Sequence, residues 1–137
     1  GIDAAFPGAK IQKAKHGFMV IEATYSANPD GVMAALEYLK KQPGKKVLVM
    51  PCLIELGKAS GRVHRAIGEK IREVCDLAII TTKDRFNDII EGAGGSEKVV
   101  CIENPQEIVQ RVKGATAAGD TVFLEGRVPQ SLLEYLL

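Results

Sequence analysis

The chain has 137 residues, 46% of them hydrophobic and 26% charged, with a net charge of +1. That is enough for one domain with a core. It carries no basic or acidic block, which argues against nucleic acid or a membrane surface as its main partner. The longest apolar run, Val47–Ile54, is far short of a membrane span, and the first 20 residues lack a charged start followed by an apolar core, so no signal peptide is expected.

In chain order, Lys10–Lys15 followed by His16-Gly17 reads as a short strand and turn, forming a hairpin with a strand at Phe18–Ile21. The following segment, Glu22-Ala23-Thr24-Tyr25-Ser26-Ala27-Asn28, is a polar strand-to-helix turn. A helix over Pro29–Lys41 is predicted from Asn28 as cap, Pro29 in the first turn, and Val32, Leu36 and Leu39 on one face. Lys46–Met50 is a strand without alternation, which implies burial on both faces.

Gly61–Val74 has apolar residues at helical spacing, and Leu77–Thr81 is the next buried strand. A short helix over Asp84–Glu91 ends at the glycine-rich Gly92–Gly95, with Thr82 and Asp84 as candidate caps and Lys83 as a solvated surface residue. Lys98–Ile102 is a strand, Pro105–Lys113 a helix capped by Asn104, Thr121–Glu125 a strand and Pro129–Leu136 a helix. Repeated strand–helix alternation predicts an α/β fold: a Rossmann-like three-layer domain with about six mostly parallel strands and helices on both faces. Residues 1–137 form a single domain, with 1–17 as a lead-in segment.

Cys52, Cys75 and Cys101 stand more than 20 residues apart, with no C-x-x-C pair and only His16 and His64 as histidines, so neither a metal site nor a disulfide framework is expected. Buried reduced thiols in a cytoplasmic protein fit that pattern. In an open parallel sheet, ligands sit beyond the carboxyl ends of the strands. The polar residues there include Glu22, Thr24, Tyr25, Asn28, Glu55 and Arg127. His64, early in its helix, reads first as a packed or solvated residue and second as a functional one. Arg127, after a glycine just past a strand, suits an anion or a surface salt bridge about equally. Gly57-Lys58-Ala59-Ser60-Gly61 lacks the G-x-x-x-x-G-K-S/T order of a phosphate loop, and Gly92–Gly95 precedes a strand instead of following one.

Glu22-Ala23-Thr24-Tyr25-Ser26-Ala27-Asn28-Pro29 resembles the D-D-x-Y-N-A-N-P segment of the Mur ligase family, most closely its branch that adds D-alanyl-D-alanine. Val47–Gly57 resembles that branch's V-L-G-x-M-x-E-L-G, with His64 where the family places a histidine after it. Gly119-Asp120 and the strand after it resemble G-D-x-V-L-x-K-G, and Phe6-Pro7-Gly8 resembles the P-x-P-G-R linker into the family's third domain.

The resemblance implies the C-terminal domain of a larger three-domain, ATP-dependent carboxylate–amine ligase that works through an acyl phosphate in peptidoglycan precursor synthesis or a related pathway. It implies ATP and Mg²⁺ held mainly by an upstream central domain of the same chain, and an amino acid or dipeptide and a nucleotide-linked substrate as small-molecule partners. Lys10, Glu22, Thr24, Tyr25 and Asn28 would then face nucleotide, and Glu55, His64 and Arg127 substrate. No residue of this domain would catalyse alone, because half of a cleft cannot activate a carboxylate.

Three departures stand out. The family's linker arginine falls at Ala9, the second aspartate of D-D at Ala23, and the lysine near the end at Glu125. They motivate an alternative, a Mur-like domain without ligase activity serving as a binding or scaffolding module.

Overall fold

The structure is a computed structural model that describes residues 8–24 and 27–137. Phe6, Pro7 and Tyr25, all named above, lie outside the described residues.

The chain forms β1 (Lys10–Lys13), β2 (Met19–Ala23), α1 (Pro29–Lys40), β3 (Lys46–Met50), a 3₁₀ turn (Gly57–Ala59), α2 (Ser60–Val74), β4 (Leu77–Ile80), α3 (Phe86–Gly92), β5 (Val99–Cys101), α4 (Pro105–Ala115), β6 (Thr121–Glu125) and α5 (Gln130–Leu136). The six strands make one sheet in the order β1-β2-β6-β3-β4-β5. β1 runs antiparallel to β2, as the expected hairpin, and every other pairing is parallel.

The unbroken apolar runs have the predicted cause. Alternate residues of each inner strand feed different cores, so a parallel strand covered on both faces needs apolar side chains at nearly every position. Val20, Val49, Ile79, Val122 and Leu124 pack with Ile108 and Val112 of α4 and Leu132 and Leu136 of α5. Ile21, Leu48, Ile80 and Phe123 pack with Val32 and Leu36 of α1, Ile67 and Ile71 of α2 and Ile89 of α3. The predicted caps at Asn28 and Asn104 form: Asn28 Oδ1 accepts from Gly31 N at 2.8 Å, and Asn104 Oδ1 from Gln106 N and Glu107 N at 2.9 and 3.1 Å.

The caps expected at Thr82 and Asp84 do not form. α3 starts after Arg85 with no side-chain cap, and Thr82 Oγ1 instead accepts from Cys52 N at 2.9 Å. A long-range bond that ties the loop after β3 to the loop after β4 has taken the hydroxyl that a local cap would use.

The sheet order decides which strand ends lie together. The chain moves outward from β3 to β4 to β5, then returns through α4 and inserts β6 between β2 and β3. The carboxyl ends of β2, β6, β3 and β4 therefore lie side by side.

Candidate functional site

Above those ends lies a cleft of about 610 Å³, lined by Ala27 after β2, Arg127 after β6, Pro51–Glu55 after β3, and Thr82 and Asp84 after β4. Its floor is apolar or small, with Cys52 and Leu53 buried, while the exposed residues Glu55, Asp84 and Arg127 supply the charge. Gly126 makes the approach of Arg127 to this cleft feasible. Its φ is +77°, and a Cβ there would meet Ala27 Cβ at 3.0 Å and Pro51 Cδ at 3.4 Å. Gly126 N also donates to Ala23 O at 2.9 Å, which pins the turn to the end of β2.

The predicted site residues separate into four places. Glu55 and Arg127 share the cleft. Lys10, Glu22 and Thr24 come together in a second groove of about 320 Å³, beside Pro129, Gln130, Leu133 and Glu134. Asn28 is engaged as the cap of α1.

His64 lies beneath the cleft floor, fully buried, not at its surface. Its Nε2 accepts from Leu53 N at 2.9 Å, so Nδ1 carries the hydrogen and donates to Ser60 O at 2.7 Å. With both nitrogens engaged by backbone, the imidazole acts as a strut for the loop that lines the cleft.

Two residues stand in places that their sequence context did not indicate. Asp84 read as a cap and is a cleft wall. Glu125 read as a strand end, yet its side chain is buried and its Oε2 has no hydrogen-bond partner among the described residues. Burial pushes the Glu125 carboxyl up to about 8. The sequence signals were a carboxylate closing the otherwise apolar run of β6 and its place where the family pattern has lysine.

The cysteines follow the simple reading. Cys52 and Cys75 are buried thiols, Cys101 is partly buried, and burial pushes Cys75 up to about 12. Among the described residues no group of three or more His, Cys, Asp or Glu is arranged to hold a metal ion, and no helix is long and apolar enough to cross a membrane.

The family profile described as "Mur ligase, glutamate ligase domain" matches residues 9–128. The chain belongs to the Mur ligase family.

A UDP-N-acetylmuramoyl-tripeptide–D-alanyl-D-alanine ligase of Synechocystis sp. is 25% identical over 130 residues, covering 91% of this chain and 28% of that protein. The enzyme of the same name from Buchnera aphidicola is 30% identical over 71 residues, covering 52% of this chain and 16% of that protein. Among solved structures, MurF from Acinetobacter baumannii superposes with a TM-score of 0.70 at 28% identity, covering 93% of this chain and 28% of that one. MurF ligase from Thermotoga maritima, solved in complex with ADP, has a TM-score of 0.76 at 24% identity and covers 93% of this chain and 29% of that one, a likeness of fold. The chain thus spans less than a third of the length of these relatives.

Membership makes the three departures testable as a nucleotide site. Ala9 and Ala23, where the family pattern has arginine and aspartate, are buried in the same apolar cluster as Val32 and Leu36 of α1. Ala23 faces Glu125 across the β2–β6 ladder. Near pH 7 this corner therefore offers two methyl groups and a largely protonated acid with an orphaned oxygen. The groove around Lys10 gives one cation against the carboxylates of Glu22 and Glu134. Among the described residues neither arrangement fits a phosphate.

Proposed function

We propose that this chain is the C-terminal domain of an ATP-dependent carboxylate–amine ligase of the D-alanyl-D-alanine-adding type, acting in the cytoplasm in peptidoglycan precursor synthesis. One observation carries the reading: a cleft at the carboxyl ends of the strands with a guanidinium, two carboxylates and an apolar floor. That arrangement suits a zwitterionic amino acid or dipeptide. The Arg127 fork takes the carboxylate, the acidic wall faces the ammonium, and small apolar side chains rest on Pro51, Leu53 and Ala27.

The role of this domain is then to bind and orient the incoming amine and to keep water from the reacting centre when it closes over the rest of the protein. ATP and Mg²⁺ supply the activation of the acceptor carboxylate. Because the residues at Ala9, Ala23 and Glu125 do not fit a phosphate, we assign nucleotide and metal to an upstream central domain of the same protein, together with the nucleotide-linked acceptor. The family's relatives that match most of the chain carry the names of ligases, which does not favour a binding module without that chemistry.

The test is ligation by the full-length protein carrying this chain. With UDP-N-acetylmuramoyl-tripeptide, ATP and Mg²⁺, ADP release should depend on D-alanyl-D-alanine. Arg127→Ala should raise KM for the dipeptide at least tenfold, about 1.4 kcal/mol or more, with a smaller change in kcat. ADP release that ignores the dipeptide, or an unchanged KM, would remove the reading.

A further inference from the structure

Glu55 is the one non-glycine residue with positive φ among the described residues, at +60°. An L residue in the left-handed region is strained, and glycine, or at some cost asparagine, is the usual solution. The same loop uses that solution two residues later: Gly57 has φ +56° and open space where a Cβ would stand, so it is glycine for its backbone alone. At position 55 the chain keeps a glutamate instead.

Folding gives no reason for it. Glu55 is exposed, and Ile54 beside it is 73% exposed, so neither side chain supports the core. No hydrogen bond or ion pair of the Glu55 side chain is found among the described residues. What both do is line the cleft, together with Asp84 and Arg127. Beneath them, the loop is held by Leu53 N on His64 and Cys52 N on Thr82. A strained, exposed carboxylate on a firmly anchored loop is the pattern of a residue kept for its ligand.

We propose that Glu55 receives the ammonium of the incoming amine and thereby selects ligands with a free amino group. This rests on the reading of the cleft as the amine site and deepens it. The left-handed backbone at Glu55 and the glycine turn at Gly126 place opposite charges on one cleft, the carboxylate of Glu55 and the guanidinium of Arg127. A compound with its two charges at opposite ends answers both, and one whose amine is capped answers only the second.

The experiment is calorimetric titration of the full-length protein carrying this chain with D-alanyl-D-alanine and with N-acetyl-D-alanyl-D-alanine, alongside thermal unfolding. Glu55→Gly should leave Tm unchanged or raise it by up to about 3 °C, since the strain is relieved. It should weaken the free dipeptide at least tenfold and leave the acetylated one unchanged. Glu55→Asp, which keeps the carboxylate, should stay within a few-fold of the unsubstituted protein. Equal dipeptide affinity in Glu55→Gly, or a fall in Tm, overturns the proposal.

Arg127→Ala separates it from the reading beneath. If Arg127→Ala weakens both ligands while Glu55→Gly weakens neither, the cleft stands and the role of Glu55 falls. If neither variant changes binding, or the unsubstituted protein binds no dipeptide, both fall.

Discussion

Replacing Glu125 by glutamine is expected to flatten the pH dependence of stability. The Glu125 carboxyl is raised from 4.5 to about 8 by burial, and its Oε2 is unpartnered among the described residues. The folded chain therefore holds a proton that the unfolded chain releases above about pH 4.5. Between those two values folding takes up a proton, so stability is complete below about 4.5, falls as pH rises, and levels off above about 8. Each pH unit in that window costs on the order of 1 kcal/mol. Relaxation around the ion and water penetration reduce the sum, so the expected loss from pH 5 to pH 9 is about 2–4 kcal/mol.

Glu125→Gln has no proton to lose. Denaturant titrations at pH 5, 7 and 9 should show similar stabilities at pH 5 and the glutamine variant ahead by about 2–4 kcal/mol at pH 9. Parallel curves for the two proteins would mean that the buried acid finds a partner. The position matters beyond stability, because Glu125 is next to Gly126, which presents Arg127 to the cleft. Ionisation of Glu125 should therefore also disturb dipeptide binding above about pH 8.

The second large effect is expected from His64→Ala, at about 2–4 kcal/mol of lost stability. The imidazole is fully buried, so its removal leaves a cavity beneath the loop after β3. It also leaves Leu53 N, in a buried residue, without the acceptor now 2.9 Å away. Guanidinium unfolding measures the loss. Hydrogen exchange gives a local readout, since the Leu53 amide should exchange faster in the variant by more than global destabilisation explains. A cost under about 1 kcal/mol would mean that the loop is held mainly by Thr82.

These two residues also mark where the sequence stops being legible. His64 reads from its sequence context first as packed or solvated, and it is packed; only the resemblance set it among the substrate residues. Nothing local says that the loop eleven residues earlier folds back over it. Glu125 ends a strand of apolar residues, and its exposure depends on whether α1 covers it. It does: a Cβ on Gly31 of α1 would lie 3.7 Å from Glu125 Oε1. Thr82 is a third case, since its hydroxyl suits a local cap and is used 30 residues away.

By itself the sequence determined the elements and their kind. Unbroken apolar runs such as KVLVM are the mark of strands buried on both faces, and Asn-Pro before an apolar helical stripe marks a capped helix start, because both depend on neighbours a few residues apart. From those elements followed the α/β class and the expectation of a site at the strand ends, where Glu55 and Arg127 line one cleft. The tertiary structure alone decided the insertion of β6 between β2 and β3, the separation of Lys10, Glu22 and Thr24 into their own groove, and the burial of His64 and Glu125. Each of these is a matter of desolvation and of contacts between distant segments, and a side chain carries no local sign of what the rest of the chain will place against it.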